Sequence, residues 1–188
     1  GFLNQASGRP EFEIRMKRGF GGLRCFQVIC FDTWMLLLDV GTPSMPASST
    51  DALGLAGGLV GGRAGKLFGN ALESAGRSPK IESAHDFSSH SDDEVVALAR
   101  QRKKSLVATY DDFESVSLEA PGMSDVWCKG GTLSGMVKVK EATLGKVVWE
   151  IHDQQSMGVA IEALPVKLGG IVQVNIDFDV DKLAYVKK

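Results

Sequence analysis

The sequence predicts an α+β domain, mostly antiparallel β, with an amphipathic helix near the C-terminus and an inserted pair of helices. Three observations carry this. Alternating apolar and polar residues recur in short blocks at both ends of the chain, as in strands that bury one face. Two stretches, near residues 91–104 and 154–164, carry apolar residues at helical spacing. Between the first strands and the rest lies a glycine-dense run, Ala52–Gly76, that matches neither pattern. The boundaries follow: residues 11–40 and 105–188 form one discontinuous β-rich domain, and residues 41–104 form a helical insertion. Within it, a Gly-rich helix is expected at 51–76, a linker at 77–90 and a charged helix at 91–104.

Phe12, Ile14 and Met16 alternate with Glu13, Arg15 and Lys17, the mark of a half-buried strand. Gly19, Gly21 and Gly22 signal a turn. Leu23–Phe31, apolar on nearly both faces, and Trp34–Val40 complete a three-stranded meander. Gly41–Thr50, rich in Pro, Ser and Thr, reads as a linker, and Asp51 can cap the helix that follows. Ser91 and Glu94 have the spacing of a capping box. Asp92, Asp93 and Glu94 suit the positive end of that helix, and Arg100, Arg102, Lys103 and Lys104 the negative end. Short strands flank an Asp111-Asp112 turn. A hairpin with Gly145 in its connection joins a strand around Leu133–Val139 to one around Val147–Ile151. Gln154–Leu164 reads as a helix that Pro165 ends or kinks. Val172, Val174, Ile176 and Phe178 alternate with polar residues in a late strand, and Leu183–Val186 forms a last one.

In the insertion, Gly54, Gly58 and Gly62 recur every four residues, as do Gly57, Gly61, Gly65 and Gly69. On a helix this spacing lines up small residues where another backbone or a membrane can approach closely. Each Gly costs about 1 kcal/mol relative to Ala, so such a helix needs a partner helix or lipid to persist. A full span needs about 20 apolar residues, and Arg63 and Lys66 cut the run short. A shallow or half-inserted helix fits the length; a soluble packed helix or a flexible linker fits the composition equally. Gly65-Lys66 ends like a phosphate-binding loop, but Val60 and Leu67 occupy the two informative positions of that motif.

The chain has 188 residues, 44% of them hydrophobic, and a formal net charge of −2. That suffices for one core and gives no case for nucleic acid. Three cysteines, an odd count, argue against a disulfide framework and suit a reducing compartment. Cys25 and Cys30 have opposite strand parity and do not share a site. No signal peptide is legible. The expected location is the cytoplasm, peripheral at a membrane.

The text SLVATYDDFESVSLEA, then KVVWEIHD and the helix SMGVAIEALPVKLG, resembles bacterial pleckstrin-homology-like (PH-like) domains, over Phe12–Val40 and Leu106–Leu168. A scramblase-like or tubby-like barrel is the competing β-rich fold. The PH-like resemblance implies a barrel or sandwich closed by a helix, and a non-catalytic binding or scaffolding module. It also implies an anion or lipid contact at cations flanking the first hairpin, here Lys17, Arg18 and Arg24. Phe26 stands where the family pattern wants a further cation. The expected partners are an anionic membrane surface, or another protein or a second copy held through the glycine-rich helix. No catalytic residue, metal or cofactor is expected. The alternatives are a soluble interaction domain with a flexible linker, and a metal-binding protein or enzyme using the His85–Asp93 region. His152 reads as a satisfied surface histidine.

Overall fold

A computed structural model describes residues 8–18, 21–43, 86–124 and 133–188. The strands and α-helices that lie wholly within these residues run in the order β1 (Glu11–Arg18), β2 (Gly21–Cys30), β3 (Trp34–Gly41), α1 (Asp92–Gln101), β4 (Leu106–Thr109), β5 (Phe113–Glu119), β6 (Gly135–Glu141), β7 (Gly145–Ile151), α2 (Gln154–Leu168), β8 (Val172–Asp179) and β9 (Ala184–Lys187). They form an open sheet of order β4-β3-β2-β1-β7-β6-β5-β8-β9. All neighbours are antiparallel except β5 and β8, which run parallel across the α2 connection. The first four strands make one meander and β5–β7 a second, joined where Arg15 and Met16 of β1 meet Glu150 and Trp149 of β7.

Strand parity sorts the side chains into two cores. Phe12, Ile14 and Met16 of β1 point inward with Phe26, Val28, Leu37, Val116, Val137 and Trp149, and α2 covers this face. The opposite face of β2 and β3 carries Ile29, Phe31, Leu36 and Leu38, and packs against Phe87 and Val95 at the start of α1. The middle of β2 and β3 is thus buried on both sides, which is why their sequences lack alternation. Cys30 lies in the inner core, and its thiol is pushed up to about 12 by burial. Cys25 is buried outside that core.

α1 begins with the expected capping box: the Glu94 amide donates to Ser91 Oγ (3.3 Å), and the Ser91 amide donates to the Glu94 carboxylate (2.8 Å). The helix stops at Gln101 rather than running to Lys104, because Arg102 adopts an extended backbone and leads the chain into β4. The Gly-rich stretch and the segments flanking it, residues 44–85, lie outside the described residues.

α2 runs on through Pro165 to Leu168, three residues beyond the expected Pro165 boundary. Proline removes only its own amide, so within the last turn it deletes a single hydrogen bond. Gly169, at φ 66°, then ends the helix by donating to the Pro165 carbonyl. Ser156, Met157, Gly158, Val159 and Ala160 are buried in succession, so this turn of α2 is enclosed all round rather than amphipathic. Gly135 of β6 makes room for it: a Cβ there would sit 2.6 Å from the Met157 thioether.

Ser156 also completes the sheet. β7 ends at Ile151, and the Glu13 amide, one pair further along β1, donates to Ser156 Oγ at 2.9 Å. Ser156→Ala leaves that amide without its acceptor in a nearly dry site. The expected loss is about 1–2 kcal/mol, read as a lower denaturation midpoint with unchanged m-value; an unchanged midpoint would show that the hydroxyl is dispensable.

Candidate functional site

β3 reads WMLLLDV, an apolar strand with one carboxylate in it, Asp39. Its side chain is buried, and everything around it is arranged to hold a charge. Arg24 of β2 donates to Asp39 Oδ1 from Nε (3.2 Å) and Nη2 (2.9 Å), and to Oδ2 from Nη2 (2.8 Å). The Gly41 amide donates to Oδ1 at 3.0 Å. The backbone of Asp39 is used too: its amide donates to Ser105 Oγ (3.0 Å) and its carbonyl accepts from Arg102 Nη1 (3.1 Å).

Local sequence explains this arrangement. Asp39 pairs with Phe26 in the regular register of β2 and β3, so Arg24, two residues before Phe26, shares its face; a register shift between Cys25 and Phe26 then sets Gly41 opposite Cys25. Such an irregularity re-aims side chains at a strand end. Gly41, at φ 107°, adopts a conformation that favours glycine as the chain leaves β3. Ser105 and Arg102 come from the segment that returns to β4. Both ends of the connection between β3 and β4, residues 42–105, are therefore fastened to one residue, the leaving end through its carboxylate and the returning end through its backbone.

The same end of the meander is basic. Lys17 lies exposed on β1 opposite Leu23, and Arg18 follows it at the register shift that ends the β1–β2 pairing. Lys103 and Lys104 are exposed just before Ser105. Three strand spacings separate β1 from β4, about 14 Å in all, so Lys17, Lys103 and Lys104 line one rim. Arg24 does not join Lys17 in a common cradle. It is adjacent in sequence to Lys17's cross-strand partner, so parity sends the two side chains to opposite faces, and its guanidinium is committed to Asp39. Phe26 is fully buried in the inner core. The glycines expected to pack or insert, Gly54, Gly57, Gly58, Gly61, Gly62, Gly65 and Gly69, lie outside the described residues.

The described part of the His85–Asp93 region anchors α1. Arg9 donates to the carbonyls of Phe87 (3.0 Å) and His90 (2.8 Å), pairs with Asp92, and lies over the Phe31 ring at 5.6 Å. The His90 ring packs on Phe87 at 5.8 Å between centroids. His85 lies outside the described residues. Among the described residues, no group of three or more His, Cys, Asp or Glu could hold a metal ion. His152 departs from the surface reading: its side chain is largely buried, with Nε2 3.2 Å from a Glu150 carboxylate oxygen.

Asp39 is the residue that sequence reasoning passed over. Its signal was legible as a lone charge in an apolar run, but its partner depends on the register of β2 against β3, which no local pattern announces. Compared with known protein families, curated proteins and solved structures, the chain matches none. Among the described residues no helix is long and apolar enough to cross a membrane.

Removing one partner of this buried pair strands the other's charge. Asp39→Asn or Arg24→Met alone is expected to cost about 2–4 kcal/mol. The double variant recovers part of that loss, because no charge is left unpaired. Urea denaturation of the four proteins measures it; strictly additive losses would contradict the coupling.

Proposed function

We propose that this chain is a non-catalytic binding or scaffolding module on a PH-like sheet, peripheral to an anionic membrane surface that it meets with its basic rim and its glycine-rich insertion. Two features support the PH-like reading. A four-stranded and a three-stranded meander join through their first and last strands, and a helix follows directly to cover the inner face. The added pair β8–β9 extends that plan, and α1 clothes the outer face of β2 and β3.

The observation that carries the membrane reading is the convergence at Asp39. The insertion leaves and re-enters the sheet at the end that bears Lys17, Arg18, Lys103 and Lys104. A glycine-rich segment that needs a partner or lipid is thereby tethered among cations. Each cation near an anionic surface contributes about 1 kcal/mol, so the rim supplies salt-sensitive attraction and the insertion the apolar contact. Two other buried polar groups serve structure: Arg9 pins α1, and Glu141 accepts from the Thr143 and Leu144 amides in the β6–β7 turn.

Co-sedimentation tests this reading with vesicles of phosphatidylcholine alone or mixed with phosphatidylserine, at low and high salt. The intact chain is expected to bind the anionic vesicles. Lys103→Glu with Lys104→Glu weakens binding by about tenfold or more at low salt, given ~1 kcal/mol per cation. Deleting residues 52–76 removes the part of the binding that survives high salt. An intact chain that binds neither vesicle overturns the membrane reading and leaves a soluble interaction module.

A further inference from the structure

The outer face of β5–β8, away from α2, carries a groove of about 460 Å³ lined by Ser115, Ser117, Lys138, Lys140, Lys146 and Gln173. Strand register determines its layout. Ser115, Lys140 and Lys146 form one cross-strand row, and Gln173, Ser117, Lys138 and Val148 form the next. The alternating residues Val116, Val139 and Trp149 fill the core behind.

The charges in this groove are unequally answered. Lys138 lies 2.6 Å from Glu119, and that ion pair, with a hydrogen bond from Ser117, holds the Glu119 carboxyl below its usual range. Lys140 pairs with Glu114, both side chains about half exposed. Lys146 has no ion-pair partner among the described residues, although it stands directly opposite Lys140. Like charges opposed across a sheet are unfavourable. An anion between the two ammonium groups would relieve that repulsion, with the Ser115 hydroxyl beside them as a further donor. Val148, 42% exposed, and Ile171 offer apolar surface at the groove's edges. The volume lies within the range of small-molecule sites, about 300–1,000 Å³.

We propose that this groove binds a phosphate monoester, its oxyanion held between Lys140 and Lys146 and its organic body resting on Val148. The three terminal oxygens match the two ammonium groups and the hydroxyl, and the ligand displaces Glu114 as the counter-ion of Lys140. This site is separate from the basic rim and stands whether or not the rim meets a membrane.

Titration of the full chain with phenyl phosphate at constant ionic strength, followed by amide chemical shifts, tests the proposal. Saturable shifts at Ser115, Lys140 and Lys146 are expected, with millimolar or tighter affinity. Lys146→Met weakens binding about tenfold, the loss of one charge-assisted contact. Glu114→Gln tightens it severalfold, because it removes the competitor. Lys103→Glu with Lys104→Glu leaves it unchanged. A second arm identifies the source of the phosphate. If Lys146→Met also reduces binding to vesicles carrying phosphatidylinositol 4-phosphate, the monoester is a lipid headgroup; if not, it is a soluble ester. No saturable binding, unchanged affinity in Lys146→Met, or weaker binding in Glu114→Gln overturns the proposal.

Discussion

The ion pair between Arg24 and Asp39 sits where three demands on the chain meet. β3 must end, a long connection must leave the sheet, and the same connection must return as β4. A buried carboxylate is costly unless its lone pairs are filled, and here the guanidinium and the Gly41 amide fill them. Because Ser105 and Arg102 bind the backbone of the same residue, the cost of burying one charge is offset by fastening both ends of the insertion. The entropy of closing a loop grows only slowly with its length. Once its base is secured, an insertion of residues 42–105 adds little further penalty to the sheet.

The second constraint is coverage. An open nine-stranded sheet has two faces, and each is buried where its sequence is apolar. α2 occupies the inner hollow so fully that its turn from Ser156 to Ala160 has no solvent side. α1 covers only the middle of β2 and β3, and Arg9 secures its start. The face of β5–β8 turned away from α2 is polar, and its alternation of Ser, Lys and Gln with Val leaves it free to hold a ligand.

Much of this was legible in the sequence, because strand alternation, capping boxes and turn residues are local. Phe12, Ile14 and Met16 announced β1 as inward-facing, and Ser91 with Glu94 marked the start of α1. The parts that depend on pairing were not legible. Arg24 beside Lys17 suggested a shared cradle, but antiparallel parity sends them apart, and the pairing of β2 with β3 sets Arg24 on the face of Asp39. No local pattern marks Lys140 and Lys146, and only register sets them opposite each other. The parallel pairing of β5 with β8 spans a helix and two strands, beyond any local pattern. Pro165 misled because the cost of a proline depends on how many turns follow it.

Native-state amide hydrogen exchange, comparing the parent chain with Arg24→Met, tests the central claim most directly. If Asp39 fastens the base of the insertion, the variant opens α1 and β4 at low free energy while the central amides of β6 and β7 keep their protection. A uniform loss of protection across all strands, or none in α1 and β4, would contradict the claim that Asp39, held in place by Arg24, fastens the insertion to the sheet.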